Sequence, residues 1–277
     1  MGERIVFRKN DRLHTVNPRW RGNPTAGGRF FNRQHRWKPG VGSVLKWRFS
    51  PNPQRKEKKM IKWNPQVHFL HSLDHVVGNS LIWLGHNSFF LQLGGKRFMI
   101  DPVFDSIPFV RRRSRFPANV SAFQQVDYLL ISHDHFDHLD KPSVARLVEM
   151  NPQMKLFCGI GTGALIKGWF PSMEVIEAAW YQQWKDEGLS LTFLPAQHWS
   201  KRGVSDGGER LWGAFMIEAD GITIYNSGDT GYAHHFSELP EMFPHIDYCM
   251  VGIGAYKPRW FCLLYTSPSP RDSTSSR

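Results

Sequence analysis

The stretch that decides the fold of this chain is Ser132–Asp140, SHDHFDHLD, which holds three histidines and three aspartates in nine residues. Clustered imidazoles and carboxylates are costly to desolvate together, and a bound cation offsets that cost. The stretch continues an apolar run, residues 126–132, that predicts a strand buried on both faces. Ligand-type side chains at the end of a buried strand therefore predict a metal site.

The spacing within this stretch predicts which side chains reach the same metal ion. His133 and His135 lie on the same side of an extended chain, so both are able to reach one metal ion. The turn that follows directs Asp137 and His138 elsewhere, toward a second ion nearby. Imidazole and carboxylate together suit zinc, which takes nitrogen and oxygen ligands tetrahedrally.

Two later segments end predicted strands with residues of the same kind. LPAQHWSKR places His198 after one strand, and NSGDTGY places Asp229 after another. Gly228 and Gly231 flank this aspartate and allow a sharp turn with close approach of the backbone. A carboxylate at a second strand end is able to bridge two ions, as we expect of Asp229. Asp137 is expected to be a ligand that helps to orient the attacking water, so these two residues are the candidate catalytic carboxylates.

From Ser80 onward, short apolar runs separated by turn residues predict a succession of strands. The predicted strands span residues 81–85, 88–93, 97–101, 126–132, 155–159, 189–195, 212–219, 222–228 and 247–254. Predicted helices span residues 142–150 and 162–169. Many strands with helices between them, and polar motifs at strand ends, indicate a layered α/β sandwich.

The composition is that of a soluble globular protein, with 277 residues, 41% of them hydrophobic, and a mean hydropathy of −0.42. No apolar run approaches the roughly 20 residues of a membrane-spanning helix. The N-terminal residues are charged where a secretory signal is apolar. Three cysteines without framework spacing are typical of a reducing compartment. The cytoplasm is the expected location.

Residues 1–75, rich in Pro, Gly, Arg and Trp, are predicted to form an extended N-terminal arm. Residues 1–62 carry 17 Lys and Arg against 3 Asp and Glu, a net charge of +14, and the remainder carries 18 against 21, a net of −3. Three interpretations are open: contact with an anionic lipid surface, contact with nucleic acid, or packing of aromatic side chains on the domain. Those aromatic residues are Trp20, Phe30, Phe31, Trp37, Trp47 and Phe49.

The set of motifs resembles the metallo-β-lactamase-fold hydrolases, and more narrowly N-acyl-phosphatidylethanolamine-hydrolysing phospholipase D and its bacterial relatives. The resemblance spans about residues 80 to 261 and is carried by LIWLGHNSFFLQL, FMIDPVF, ISHDHFDHLD, PAQHWSKR, LWGAF, NSGDTGY and IGAYKPRWF. It implies an αββα sandwich with two zinc ions at the rim of the sheets. By position, one zinc is held by His133, His135 and His198, the other by Asp137 and His138, and Asp229 bridges them.

The chain departs from the family's pattern toward its C-terminal end. The family's final histidine, in a segment of the HWGTF type, has no counterpart, so the second zinc site is expected to be incomplete. Cys262–Asp272 matches the translation of a transposase-end adaptor used in sequencing libraries. The expected organisation is an arm over 1–75, a metallo-β-lactamase-fold domain over 76–261 without its C-terminal part, and an unpacked, non-native tail over 262–277.

The resemblance implies hydrolysis of N-acylated phosphatidylethanolamine, or of a similar phospholipid, to phosphatidic acid and an N-acylethanolamine. Two zinc ions would acidify the attacking water. An arginine loop suits recognition of the phosphate through planar guanidinium groups, and a solvated loop is the alternative interpretation. The loop residues are Arg111, Arg112, Arg113 and Arg115.

The expected partners are the phospholipid substrate and the membrane surface as a peripheral contact, with no nucleic acid, and a homodimer is left open. Two other functions are weighed against this one. The first is a small-molecule metallo-hydrolase, such as a sugar-phosphate lactonase, which would need a closed polar pocket rather than an apolar groove. The second is a nuclease or nucleic-acid-binding protein that uses the basic arm.

Overall fold

The computed structural model describes residues 4–34, 42, 45–46, 49–51, 55–60, 66–107, 112 and 114–252. Three expectations lie outside the described residues. They are the unpacked tail over 262–277, the last residues of the strand predicted over 247–254, and the placement of Arg111 and Arg113.

The N-terminal residues form strands that join the domain. The first four strands are β1 (Val6–Arg8), β2 (His14–Thr15), β3 (Asn23–Ala26) and β4 (Arg29–Phe30). Strands β1, β3 and β4 make a small antiparallel sheet, whereas β2 joins the edge of a larger sheet. A six-residue helix, α1 (Arg55–Met60), follows them.

A six-stranded sheet comes next along the chain. Its strands are β5 (Ser80–Gly85), β6 (Ser88–Leu93), β7 (Lys96–Ile100), β8 (Tyr128–Ile131), β9 (Lys155–Gly159) and β10 (Glu174–Ala178). The spatial order is β10-β9-β8-β7-β6-β5. Strands β7 to β10 run parallel, so their carboxyl ends share one edge, and β5 and β6 pair antiparallel.

A second six-stranded sheet is built mostly from the later strands. These are β11 (Gln182–Asp186), β12 (Leu189–Leu194), β13 (Ala214–Ala219), β14 (Ile222–Asn226) and β15 (Tyr248–Met250). The order is β15-β14-β13-β12-β11-β2, antiparallel except for β14 and β15. The longer helices are α2 (Lys141–Met150), α3 (Thr162–Trp169) and α4 (His235–Met242).

The two large sheets pack face to face around an aromatic core. Phe157 of β9 contacts Phe193 of β12 and Phe215 of β13, with ring centroids 6.3 and 6.1 Å apart. Helices α2 and α3 bury apolar side chains on the outer face of the first sheet, in a second cluster. Helix α4 covers the second sheet, where Phe236 contacts Tyr225. The layers run helix, sheet, sheet, helix, and the predicted αββα sandwich is confirmed.

Most predicted elements agree with the structure, but strands β10 and β11 are not among the predicted strands. Their sequences, EVIEA and QQWKD, lack the apolar runs on which the prediction relied. Gln182 in β11 is buried all the same, because its side chain accepts from the backbone N–H groups of Asn10 and Ala179. A satisfied buried amide replaces an apolar residue there, and periodicity does not detect it.

The described part of the arm, residues 4–34, follows the packing interpretation. The Trp20 ring lies 6.1 Å from the Trp180 ring, and Arg33 forms an ion pair with Glu238 of helix α4 at 2.8 Å. Phe30 is buried in the core between the sheets. Within the described residues, no helix combines the length and the apolar character that crossing a membrane requires.

Candidate metal centre

The predicted ligands meet on loops that follow three strands. His133 and His135 come after β8, His198 comes after β12, and Asp229 comes after β14. Because the first two strands belong to opposite sheets of the sandwich, the side chains approach one another from both layers. The structure thus brings together residues nearly one hundred positions apart, as the strand-end pattern predicted.

Three histidines form the first group. His133 Nε2 lies 2.8 Å from His135 Nδ1, and His198 Nε2 lies 3.2 Å from each of those two atoms. A tetrahedral zinc with metal–nitrogen bonds of about 2.0–2.1 Å separates its nitrogens by roughly 3.3 Å. The three converging nitrogens therefore fit the imidazole ligands of one zinc ion.

A second group lies beside the first. His138 Nε2 is 3.4 Å from Asp229 Oδ2 and 3.9 Å from Asp137 Oδ2, and it is buried without a hydrogen-bond partner. Asp229 Oδ2 also lies 3.9 Å from His198 Nε2, which places this carboxylate between the two groups. A buried imidazole nitrogen without a hydrogen-bond partner is costly. A cation between these atoms would satisfy it, so the residues fit a second metal ion that shares Asp229.

His86 also belongs to the second group, although its place there was not predicted from the sequence. Its Nε2 lies 3.1 Å from Asp137 Oδ2, and the ligand atoms of His86, Asp137 and His138 all lie within 4.8 Å of one another. It follows β5 in the motif LIWLGHNSFFLQL. The signal that would have found it is the one used for the other ligands, a polar side chain at a strand end.

The buried carboxylate of Asp101, directly after β7, orients His138. One oxygen accepts from the backbone N–H of Ser132 at 2.8 Å, and the other bonds His138 Nδ1 at 2.8 Å and Asn87 Nδ2 at 2.9 Å. The bond at Nδ1 turns His138 Nε2 toward Asp229. A carboxylate behind a ligand histidine fixes its tautomer and raises its basicity. This role of Asp101, which lies within FMIDPVF, was not predicted from the sequence.

A second buried carboxylate, that of Asp134, connects the loop between β8 and α2 to the QHWSKR segment. This loop, residues 132–140, is called the histidine loop below. Asp134 accepts from the backbone N–H of Lys201 at 2.9 Å and forms an ion pair with Arg210. Arg202 donates to the carbonyls of Asp134 and Leu139, at 3.0 and 2.7 Å. The arginines of this region thus support the two ends of the loop that carries four predicted ligands.

The loop after β14 passes close to the histidine loop, and Gly228 makes this approach feasible. Its φ of +53° is in the left-handed region, and a Cβ there would lie 2.9 Å from the Gly213 carbonyl oxygen and 2.9 Å from Ser132 Cβ. Any larger residue would push the two loops apart. The predicted need for glycine beside Asp229 is confirmed at this position.

The electrostatics of the first group favour neutral imidazoles. Burial, and then the neighbouring histidines, hold the pKa of His133 well below its usual value. Burial and the nearby His138 lower the pKa of His135 to about 4. Both rings therefore keep free nitrogen lone pairs at neutral pH, as metal coordination requires.

The electrostatics of the second group favour ionised carboxylates. Burial alone would raise the pKa of Asp229, but His138 outweighs it and lowers the pKa to about 2. Burial would likewise raise the pKa of Asp137, yet its bond to His86 and the charge of His138 lower it. For His138, burial acts against protonation, but Asp229 and Asp101 raise its pKa well above the usual value. The surrounding carboxylates therefore favour positive charge at this position, which a metal ion would supply.

The two described residues of the arginine loop, Arg112 and Arg115, contact other parts of the protein. Arg112 donates to the main-chain carbonyls of Leu84 and Val103, at 2.6 and 2.8 Å. Arg115 stacks over the Phe69 ring at 3.9 Å from its centroid. Arg112 thereby connects the end of strand β5 to the loop that follows β7. The phosphate-binding role assigned to the loop stays a prediction.

Comparison with known proteins places the chain among β-lactamase-fold proteins. The family described as Beta-lactamase superfamily domain matches residues 96–274. The chain is 30% identical over 263 residues to N-acyl-phosphatidylethanolamine-hydrolyzing phospholipase D 1 of Caenorhabditis elegans, a match covering 86% of the chain and 74% of that relative. It is 31% identical over 185 residues to an uncharacterized protein of Mycobacterium bovis, covering 64% of the chain and 49% of that relative.

Solved structures agree on the fold. A metallo hydrolase from the archaeon Ignicoccus hospitalis superposes with a TM-score of 0.50 at 21% sequence identity. The match covers 64% of this chain and 72% of that one. At this level of identity the likeness concerns the fold alone, and it agrees with the sandwich described above.

Proposed function

The chain belongs to the β-lactamase superfamily as a metal-dependent hydrolase, and from that premise we propose that it is a zinc-dependent phosphodiesterase. Its proposed substrates are N-acyl-phosphatidylethanolamine-type phospholipids, hydrolysed to phosphatidic acid and N-acylethanolamine. The observation that carries the proposal is the meeting of two ligand groups on either side of Asp229. The substrate class is supported by the activity for which the Caenorhabditis elegans relative is named.

The choice of zinc follows from the donor atoms. Five imidazoles and two carboxylates form the two groups. This mixture of nitrogen and oxygen ligands suits zinc and disfavours magnesium and calcium, which prefer oxygen. None of the described cysteines lies in either group. His133, His135 and His198 would hold one ion, and His138, Asp137 and the shared Asp229 would contact the other.

Hydrolysis of a phosphodiester requires an activated water molecule and stabilisation of the negative charge that develops on the phosphoryl oxygens. A pair of metal ions in such a site supplies both, because it lowers the pKa of water and neutralises charge on the phosphoryl oxygens. Hydrolysis forms a bond between the water oxygen and phosphorus and breaks the bond from phosphorus to the ethanolamine oxygen, which takes up a proton. Asp137, whose side chain is 38% exposed, is the ligand carboxylate open to the incoming water, and its Oδ2 faces the site.

Exposed aromatic side chains around the site support a lipid substrate. Trp83, Phe136 and Tyr232 are 61%, 44% and 56% exposed, and each lies within three positions along the sequence of a ligand-type residue. Trp and Tyr are the residues that settle at membrane interfaces, since they join a large apolar ring to a polar group. A soluble sugar phosphate would gain nothing from such a rim.

The proposal predicts which substrate the zinc-loaded chain turns over. With N-acyl-phosphatidylethanolamine in vesicles, a sugar-phosphate lactone and a short oligonucleotide offered separately, we expect release of phosphatidic acid from the first alone. Chelation of the metal should stop the reaction and added zinc should restore it. Mass spectrometry of the products measures the outcome. Turnover of the lactone or the oligonucleotide instead would select one of the alternative functions.

A variant of the aromatic rim sharpens this test. Tyr232→Ala should lower the rate on vesicles by about tenfold, while the rate on a dispersed short-chain analogue stays the same. Val204→Ala, at an apolar residue that is also exposed, serves as the matched control. Equal rates on vesicles for Tyr232→Ala and Val204→Ala would argue against a lipid interface.

The basic arm is proposed to add a weak attraction to anionic membranes. Deleting residues 1–62 would also remove β2 and the contacts of Trp20, so charge-neutralising substitutions are the cleaner test. The exposed cations of the described arm include Arg12, Arg19 and Arg21. The cytoplasmic location and the homodimer stay predictions.

Neutralising these three arginines to Gln should weaken binding to anionic vesicles at low salt by at least about tenfold, since each near-surface charge contributes about 1 kcal/mol. Sedimentation with vesicles of phosphatidylserine and phosphatidylcholine measures the binding. The matched control neutralises three lysines of the domain, Lys96, Lys167 and Lys185. Equal binding by the two triple variants would mean that the arm has only a packing role.

A further inference from the structure

The loop between β5 and β6 holds His86 in an unusual backbone conformation. Its φ is +51°, in the left-handed region that non-glycine residues seldom adopt. The Trp83 indole donates to the His86 carbonyl at 2.8 Å, and Arg112 donates to the preceding Leu84 carbonyl. Gly85, with φ +101°, leaves room for that guanidinium, because a Cβ there would lie 2.6 Å from Arg112 Nη2. The backbone is therefore fixed on both sides of the histidine.

This fixed backbone directs the imidazole at the second group of the metal centre. His86 Nε2 lies 3.1 Å from Asp137 Oδ2, and its ring is 5.2 Å from the ring of His138. The nitrogen of His138 that faces this space is the buried one without a hydrogen-bond partner. Strained backbone that is held by several contacts is typical of functional sites.

We propose that His86 is a protein ligand of the second metal ion. The inference rests on the proposed metal-dependent function and deepens it. With Asp137, His138 and the shared Asp229, His86 brings the number of protein ligands to four. Two imidazoles and two carboxylates are donor types that zinc binds, and a zinc ion that expands to five-coordinate would keep one position for water.

The competing interpretation is a surface ion pair between His86 and Asp137 without a metal. The chain offers a matched example of such a pair, since His245 Nε2 lies 2.9 Å from Asp247 Oδ1 on the surface. That pair has no third ligand-type residue in the described groups. The two histidines therefore share a carboxylate partner at similar distance and differ in the presence of a metal-binding group.

Metal titration of the 277-residue chain tests the inference without relying on turnover. After chelation, the chain is titrated with Zn²⁺ by calorimetry and with Co²⁺ by visible absorption. We expect two equivalents for the unchanged chain and for His245→Ala. His86→Asn should keep one tight equivalent and bind the other at least about tenfold more weakly, because losing even an outer partner of a ligand costs 10–100-fold.

Substitution by asparagine distinguishes the effect of losing the imidazole ring from the effect of changing the backbone conformation. Asparagine tolerates the left-handed region, so the loop keeps its conformation when the ring is lost. Circular dichroism verifies that the variant is folded, and His86→Ala provides a second variant without the ring. Both variants are expected to show the same loss.

Each outcome decides the inference. Two tight equivalents in His86→Asn, together with two in the unchanged chain, would overturn the ligand role of His86 and leave the proposed function standing. A single equivalent in the unchanged chain would also overturn it, since the second site would then be absent. No metal binding by any variant would overturn the proposed function as well.

Discussion

Asp229→Ala lowers the turnover of the zinc-loaded chain by at least about a thousandfold. The expectation follows from the position of this carboxylate, whose Oδ2 lies 3.4 Å from His138 Nε2 and 3.9 Å from His198 Nε2. Its loss removes a ligand from both metal groups at once. Loss of a single preorganised group in an active site costs about 10²–10³ in rate, so a residue shared by two sites is expected to cost more.

The measurement is the initial rate on N-acyl-phosphatidylethanolamine at saturating zinc, with metal content determined on the same samples. Asp105→Ala is the matched control, because Asp105 is a surface carboxylate that pairs with Arg146 outside the metal centre. It should retain the rate of the unchanged chain. Comparable rates for the two variants would show that Asp229 does not link the two groups.

The second large effect concerns stability as well as metal affinity. Asp101→Asn should weaken binding of the second metal by about 10–100-fold and destabilise the metal-free fold by about 3 kcal/mol. Asp101 is fully buried, and its carboxylate accepts from Ser132, Asn87 and His138. In Asp101→Asn, an NH₂ group replaces one carboxylate oxygen. This NH₂ group would face groups that donate hydrogen bonds to Asp101, so donors would meet donors. The φ of +42° at this position suits asparagine, so the backbone is not a separate cause.

Urea unfolding of the metal-free chain and zinc titration of the folded chain measure the two effects. Asp247→Asn is the matched control, because Asp247 also accepts from a backbone N–H, that of Thr223, and bonds a histidine, but at the surface. Its unfolding midpoint should stay where it is in the unchanged chain. If Asp101→Asn unfolded at the same midpoint too, burial of the charge network would not be what stabilises this edge of the sheet.

The sandwich and six ligand-type residues could be predicted from the sequence because the same physical rule governs both. A strand buried on both faces is apolar, and the polar residues at its end stand out against it, as at Ile131 and Ser132. Polar ends of several strands then imply a shared edge. The rule fails where burial is polar, as at Gln182 in β11, since a hydrogen-bonded amide looks exposed in a sequence.

Residues that act through the backbone could not be assigned in this way. Arg112 suggested a phosphate contact, because an arginine in a polar loop has the same appearance whether it faces solvent or main-chain carbonyls. Only the folded chain shows that its donors reach Leu84 and Val103. Likewise His86 owes its direction to a left-handed turn, and a histidine imposes no such turn by itself. Contacts between distant parts of the chain therefore determine where the side chains of Arg112 and His86 point.

The contact between Asn32 and His198 bears on the order in which the protein is made and folds. The Asn32 side chain donates to the His198 carbonyl at 2.8 Å, across 166 positions of sequence. During synthesis, residues near the N-terminus leave the ribosome long before their partner exists, so they wait unpaired until the second sheet has been translated. Contacts so distant along the chain slow folding, since the loop between them must close first. We therefore expect the metal centre to mature late, with its earliest-made segment among the last to dock.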